Sequence, residues 1–238
     1  RSAAPRAPAP VMAKAMAMDM AYESAPEAEA SGEYHAYPLR QRIDLPNGSI
    51  QRVSLLDPSD GVDCIRRYEV GNSGSSWRAP RPQIHSNPNP ERHAVITTLN
   101  FSNDEEAGLG KPLPAGRVRV FQAGSGGDAL LGESRINHTA AGQQVALMLG
   151  EAFDLGAERT QTALHLAPDR LSLEETIQVK LSNAKSSAVT VRVHEALNRW
   201  QDWEILESSQ DWERNNAQSV RFDVNVPANG ETVLSYRV

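Results

Sequence analysis

The sequence predicts an all-β protein, an antiparallel β-sandwich that carries an extended N-terminal arm. Beyond residue 33, short runs of alternating apolar and polar residues recur between clusters of Gly, Pro, Asn and Asp, and no long helical pattern follows. The first 33 residues instead are rich in Ala, Pro, Met and Glu and have no core pattern. Alternation with a period of two marks strands that bury one face, and many short strands of this kind are typical of a sandwich.

The alternation locates the strands. It is carried by Val118 and Val120; Val145, Leu147 and Leu149; Ile177, Val179 and Leu181; Val189, Val191 and Val193; Phe222, Val224 and Val226; and Leu234, Tyr236 and Val238. Turn-forming residues at 46–48, 124–127, 183–185 and 228–230 are predicted to separate the strands. We therefore divide the chain into an arm, residues 1–33, and a β-sandwich domain, residues 34–238.

Charge and composition exclude several classes of partner. A net charge of -6 and a pI near 5.6 argue against nucleic acid and against an anionic membrane surface. No apolar run approaches the ~20 residues that a membrane-spanning helix needs. The single cysteine, Cys64, excludes an internal disulfide and is expected to be a small buried hydrophobe.

The arm alternates large and small side chains between residues 12 and 22. As a strand it would present Met12, Met16, Met18, Met20 and Tyr22 on one face and mostly alanines on the other. The arm has too few core-forming residues to become ordered by itself. As a strand it can instead pair with an open sheet edge of its own domain, of a neighbouring copy or of another protein. If the neighbour is a copy, a head-to-tail contact that does not close produces a filament.

Two other interpretations of the arm stay open. Met12, Met16 and Met20 also share the i, i+4 spacing of one helix face. Clustered thioethers are suitable ligands for Cu(I), although no His or Cys accompanies them. Ordered packing, as strand or helix, is the interpretation that the residue types favour, and no metal or cofactor is expected.

Two tryptophan-bearing segments are candidate interfaces. The Pro-rich stretch 71–91 contains Trp77, Arg78 and Arg81 and is predicted to form either an interface loop or a flap over one end of the sandwich. Trp200, Trp203 and Trp212 are predicted either to cap the open end of the core or to bind a glycan or protein.

Motifs for catalysis are missing from the sequence. It has no H-E-x-x-H or C-x-x-H spacing, no G-x-S-x-G elbow, no P-loop and no dinucleotide fingerprint. Paired carboxylates could in principle hydrolyse glycosides, but any acidic protein supplies such pairs. We therefore expect a protein that is not an enzyme.

Several short segments of the sequence resemble those of a known family. They are HAV at 93–95, LNF at 99–101, GLGKPLPAGRVRVF at 108–121, LLGE at 130–133, GEAFDL at 150–155, ERTQ at 158–161 and LSY at 234–236. Residues 34–238 thereby resemble the C-terminal domain of unknown function of bacterial mucoidy-inhibitor-A-like envelope proteins. The resemblance implies a β-sandwich and an exported protein, and it supplies no catalytic residues. Family members carry an N-terminal domain and a coiled coil before an Ala/Pro-rich linker. Because this chain begins inside such a linker, we expect proteolytic release from a longer precursor.

Together these observations predict a non-enzymatic, exported subunit, extracellular or periplasmic, that self-assembles through its arm into a filament or similar homopolymer. The alternative is an envelope binding module that grips glycan or protein through its Trp-rich loops.

Overall fold

A computed structural model describes residues 29–31, 34–37, 39, 42–71, 84–169 and 171–238. Its strands are β1 (Glu29–Ser31), β2 (Tyr34–Ala36), β3 (Ile65–Gly71), β4 (Glu91–Ser102), β5 (Gly116–Gln122), β6 (Ala129–Ile136), β7 (Gln144–Leu166), β8 (Leu173–Asn183), β9 (Val189–Ala196), β10 (Glu207–Ser208), β11 (Trp212–Asn216), β12 (Ser219–Val226) and β13 (Gly230–Arg237). These described residues contain no helix, and hence none with the length and apolarity to cross a membrane.

The chain divides into two compact units, residues 1–58 and residues 59–238. In the first unit, β1 and β2 pair antiparallel. The predicted turn at 46–48 is present, and the Ser49 N–H donates to the Pro46 carbonyl at 3.0 Å. The turn lies between β2 and β3 as predicted, but neither strand reaches it, because residues 42–58 contain no strand. Leu45 and Ile50 are exposed there, so the segment has no buried face to hold a strand. The predicted boundary after residue 33 stays a prediction.

A nine-stranded sheet forms the body of the second unit. Its strand order is β10-β13-β8-β7-β4-β3-β9-β12-β11, and every neighbouring pair is antiparallel except β3 with β9. β5 and β6 form a separate hairpin, closed by the predicted turn in which the Gly127 N–H donates to the Gly124 carbonyl at 3.1 Å. The predicted all-β class and the mostly antiparallel pairing are thereby confirmed.

The parallel pairing of β3 and β9 depends on a glycine. Gly71 lies opposite His194 with φ at +86°. A Cβ atom at this position would lie 2.1 Å from the His194 carbonyl oxygen. Only glycine tolerates both this backbone conformation and this approach, so Gly71 allows the two strands to pair to the end of β3.

Most of the predicted strand faces form the core, and the two ends of the sheet meet across it. Val118 and Val120 of β5 are only half-buried and lie outside this core. Ile177, Leu181, Val224 and other residues of the alternating positions are almost fully buried. The ring of Phe222 on β12 stacks on the ring of Tyr236 on β13, with centroids 5.3 Å apart. Since these strands are eighth and second in the sheet order, the sheet must curl to bring them together.

One end of this core is polar, because the inward faces of several strands continue into polar residues. Glu195 follows Val191 and Val193 on the inward face of β9 and is buried. Its carboxylate accepts from the Tyr236 hydroxyl at 2.5 Å and from Arg159 Nε at 2.9 Å. Burial, and then the negative charge of Glu195, raise the pKa of Tyr236 well above its ordinary value. The phenol therefore stays protonated as the donor, and β7, β9 and β13 are joined across the core.

Replacing Glu195 by Gln should destabilise the protein by about 3–5 kcal/mol, because Arg159 would keep a partly buried charge without its partner. Tyr236→Phe should cost less, about 1–3 kcal/mol, since it removes one hydrogen bond and leaves the stacked ring in place. Urea denaturation of both variants measures the difference. Equal losses, or a loss below 1 kcal/mol for Glu195→Gln, would contradict this account of the core.

Acid should weaken a second cross-strand pair. Arg192 on β9 donates to Asp223 on β12 through Nε and Nη2, both at 2.7 Å. These hydrogen bonds, foremost, hold the pKa of Asp223 below its ordinary value of 3.8. A carboxylate with a lowered folded-state pKa stabilises the fold above its unfolded-state pKa and loses that contribution as the pH falls through the folded value.

We therefore expect Asp223→Asn to melt below the native protein at pH 7, and the gap in melting temperature to narrow as the pH falls below about 4. Thermal melts between pH 2 and pH 7 measure the gap. A gap that stays constant over this range would show that the pair does not contribute in this way.

Candidate functional site

An open groove of about 710 Å³ lies at the polar end of the core. We name it the Trp200 groove. Its lining residues are Ile84, Leu166, Leu171, Ser172, Leu173, Glu174, Glu175, Leu197, Arg199, Trp200, Asp202, Trp203, Glu204, Leu206 and Val238. An apolar floor with a few polar groups at its margin is the usual form of a binding site.

Four parts of the chain build this groove. They are the end of β7 and the start of β8 with their connection, the segment between β9 and β10, the C-terminus, and Ile84 ahead of β4. Backbone hydrogen bonds hold the second part at both ends, from the Leu197 N–H to the Gln218 carbonyl at 2.7 Å and from the Leu206 N–H to the Arg237 carbonyl at 2.8 Å. The groove is thus built on backbone that strands position.

The three predicted tryptophans have different surroundings. Trp203 packs against the core, donates from Nε1 to the Ala217 carbonyl at 2.9 Å, and meets Trp212 edge to face at 6.2 Å. The Arg214 guanidinium covers the Trp203 ring at 4.2 Å. Trp200 in the groove keeps 48% of its surface exposed. Trp203 therefore has the predicted capping position, and of the two that line the groove Trp200 is the ring more open to a ligand.

A buried carboxylate forms the polar part of the groove. Glu175 accepts from Gln161 Nε2 at 2.8 Å and pairs with Arg199 Nη2 at 2.9 Å. The Gln161 side-chain oxygen accepts in turn from the Ser86 hydroxyl at 3.0 Å and from the Asn87 N–H at 2.7 Å. This network of hydrogen bonds holds Ser86 and Asn87, near the C-terminal end of the Pro-rich stretch, beside the groove.

Sequence reasoning missed these polar residues although the signal was present. On β7, Gln161 occupies an inward-facing position in the same alternation as Leu155 and Ala157. On β8, Glu175 occupies an inward-facing position in the same alternation as Ile177 and Val179. A polar residue at an inward position of a strand is a candidate for a buried network or for the wall of a site. The apolar members of the alternation alone do not reveal these two residues.

Other predicted site residues lie outside the described part of the chain. These are Met12, Met16, Met18, Met20 and Tyr22 of the arm, and Trp77, Arg78 and Arg81 of the Pro-rich stretch. The two ends of that stretch are described. Gly71 belongs to β3, and Ile84 lines the Trp200 groove.

The expectation of a buried Cys64 is wrong. The thiol is exposed, because it immediately precedes β3, whose first residue, Ile65, also lies outside the core. Partial desolvation and, second, the Asp63 carboxylate raise the pKa of the thiol. The reactive thiolate is therefore scarce at neutral pH. The described residues contain no group of three or more His, Cys, Asp and Glu side chains placed to hold a metal ion.

The chain matches no family model, no curated protein and no solved structure.

Replacing Gln161 by Leu should loosen the wall of the groove. The change removes the donor to Glu175 and the acceptor for the Asn87 N–H, and we expect a loss of stability of about 1–3 kcal/mol. Hydrogen exchange at the Asn87 amide should accelerate more than exchange in β8. The matched control is Thr162→Ala at the exposed neighbouring position, which should leave the Asn87 amide protected. Unchanged protection in Gln161→Leu would show that the side chain does not hold this segment.

Proposed function

We propose that this protein is a non-enzymatic, exported subunit that self-assembles through its N-terminal arm into an extracellular filament, and that its curled sheet is a two-layered sandwich. The observation that carries the proposal is the Trp200 groove, which is apolar and open. On this proposal its occupant is residues 12–22 of a second copy, with the methionine side chains filling the irregular floor.

The position of the groove beside a sheet edge supports strand addition. β10 is the last strand on its side of the sheet, and its outer edge faces no other described strand. Leu206, which lines the groove, directly precedes β10. An arriving strand could thus form backbone hydrogen bonds at the edge while its side chains enter the groove.

Charge complementarity favours the part of the arm that precedes the occupant. Residues 1–11 contain Arg1 and Arg6 and no acidic residue, whereas residues 12–22 carry one charge of each sign, on Lys14 and Asp19. The groove is lined by four carboxylates, those of Glu174, Glu175, Asp202 and Glu204, against one guanidinium, that of Arg199. A basic segment is attracted to such an acidic margin, and repulsion disfavours acidic segments.

The arrangement has a consequence for assembly. The arm and the groove are different surfaces, so a contact between copies is head-to-tail and leaves one free arm and one free groove. Repetition of an unclosed contact of this kind produces a filament.

The envelope location rests on the resemblance to the mucoidy-inhibitor-A-like family. The proposal of a non-enzymatic protein rests on the lack of catalytic motifs in the sequence.

Glycan binding is the second candidate function, and the exposure of Trp200 favours it. A sugar ring could stack on this indole, with Asp202 and Glu204 beside it as acceptors. Trp203 and Trp212 contribute less to a flat platform, since one lies edge to face on the other and Arg214 covers the first. Saturable binding on a glycan array that Trp200→Ala removes would support this candidate.

A mixing experiment tests arm-mediated assembly in the full chain. The arm variant is Met16→Ser/Met18→Ser and the groove variant is Leu171→Ser/Trp200→Ala. Each variant alone should fail to polymerise, because one has a defective arm and the other a defective groove. Mixed together, they should form a one-to-one complex, since the intact arm of one can enter the intact groove of the other. Light scattering after gel filtration and electron microscopy measure the products.

The matched control is Val233→Ser on β13, an exposed apolar residue outside the groove, which should assemble like the native chain. Filaments formed by either double variant alone would refute the mechanism, and so would a mixture that remains monomeric. The single variant Met18→Ser distinguishes an arm that docks as a strand from one that docks as a helix. Met18 lies on the face of large side chains in the strand, but it is not part of the helical stripe of Met12, Met16 and Met20. The variant should therefore weaken assembly if the arm is a strand and not if it is a helix.

A further inference from the structure

Phe153 is an aromatic residue of β7, and 99% of its surface is exposed. It lies in β7 where the pairing with β4 is irregular, since residues 152–155 of β7 oppose the single residue Val95 of β4. The extra residues form a bulge, and bulges reorient side chains away from the regular faces of a sheet. Here the bulge presents a large apolar side chain to solvent.

The backbone of this bulge is held in place. The Ala184 N–H donates to the Asp154 carbonyl at 2.8 Å, and Lys185 Nζ pairs with the Asp154 carboxylate at 3.1 Å. Both partners belong to the connection from β8 to β9. Phe153 is thus displayed on a fixed backbone and not at the tip of a free loop. A rigid, exposed aromatic of this kind has the character of an interface anchor, because little entropy is lost when it is buried.

A cavity of about 230 Å³ lies beside Phe153. Its lining residues are Arg66, Tyr68, Thr97, Gln122, Leu131, Leu149, Gly150, Glu151, Ala152, Phe153 and Lys185. We name this surface the Phe153 patch. It therefore combines a protruding aromatic with an adjacent recess, and both lie in the unit of residues 59–238.

The patch also carries both signs of charge. Arg66 on β3 and Glu151 on β7 line the same recess, and no ion pair joins these two described residues to each other. A surface that carries a projection, a recess and both charges has the features that can meet their own copies under a two-fold rotation. In such a contact the same patch meets its own copy, so that residue i contacts j and j contacts i.

We propose that the Phe153 patch is a two-fold interface with a second copy of this chain. Phe153 of each copy enters the recess of the other, and Arg66 of each copy pairs with Glu151 of the other. This contact is independent of the arm and the Trp200 groove. With both contacts present, the arm would link two-fold dimers and not single subunits.

Sedimentation equilibrium of the full chain over a range of concentrations tests the interface. The measurement is made in the arm variant Met16→Ser/Met18→Ser and repeated in the native chain, so that the two contacts are separated. We expect a monomer–dimer equilibrium that Phe153→Ser weakens about 30-fold or more, as the loss of an anchoring aromatic does. Arg66→Glu and Glu151→Arg should each weaken the dimer, and the double variant Arg66→Glu/Glu151→Arg should restore it.

Because Phe153 is exposed, Phe153→Ser should leave the thermal melt of the subunit unchanged, and Val233→Ser again serves as the control at an exposed position outside the patch. A chain that stays monomeric in the arm-variant background, or a dimer that Phe153→Ser does not weaken, would overturn the inference. The inference would also be overturned if the double variant Arg66→Glu/Glu151→Arg dimerised no more tightly than the two single variants. Arm-dependent polymers that persist in Phe153→Ser would leave the proposed function standing, while a Phe153-dependent dimer without polymers would refute that function alone.

Discussion

The buried carboxylate of Glu195 is the constraint on which the rest of this structure depends. It lies among apolar residues, where an unpaired charge would cost several kcal/mol. Arg159 and Tyr236 satisfy it from two other strands. Because the three residues belong to strands that are second, fourth and seventh in the sheet order, the carboxylate finds both partners only when the sheet curls. The polar contact thereby specifies how the two ends of the sheet meet.

The same polar end of the core shapes the candidate site. Gln161 and Glu175 are inward-facing residues of β7 and β8, and their hydrogen bonds reach Arg199 and the segment at 86–87. The apolar core stops at this layer, and the Trp200 groove begins beyond it. A ligand in the groove would therefore rest on a wall that is already satisfied, which suits a docking surface better than a reactive centre.

The two proposed contacts between copies differ in symmetry, and this difference determines what they could build. Insertion of an arm into a groove is head-to-tail and can repeat without limit, whereas the Phe153 patch is two-fold and ends with two copies. Their chemistry differs as well. The groove combines an apolar floor with an acidic margin, while the patch places Arg66 and Glu151 around one aromatic anchor.

The sequence by itself determined the all-β class and most of the core, because alternation with a period of two reports directly which strand face is buried. It located strands such as those of Ile177 and Phe222, and turns such as that at 124–127. It located the turn at 46–48 but not the long irregular segment around it, since an Asn-Gly turn forms equally well in irregular chain. The expectation that Cys64 is buried was wrong, because the general preference of cysteine for the interior says nothing about where a strand begins.

Only the tertiary structure decided which strands are neighbours, because pairing between residues far apart in sequence leaves no mark on local periodicity. The parallel contact of β3 with β9, the meeting of Phe222 with Tyr236, and the network around Glu195 are all of this kind. The groove and the Phe153 patch follow from the same long-range pairing. Their residues come from strands and connections that the chain order separates and that the curled sheet brings together.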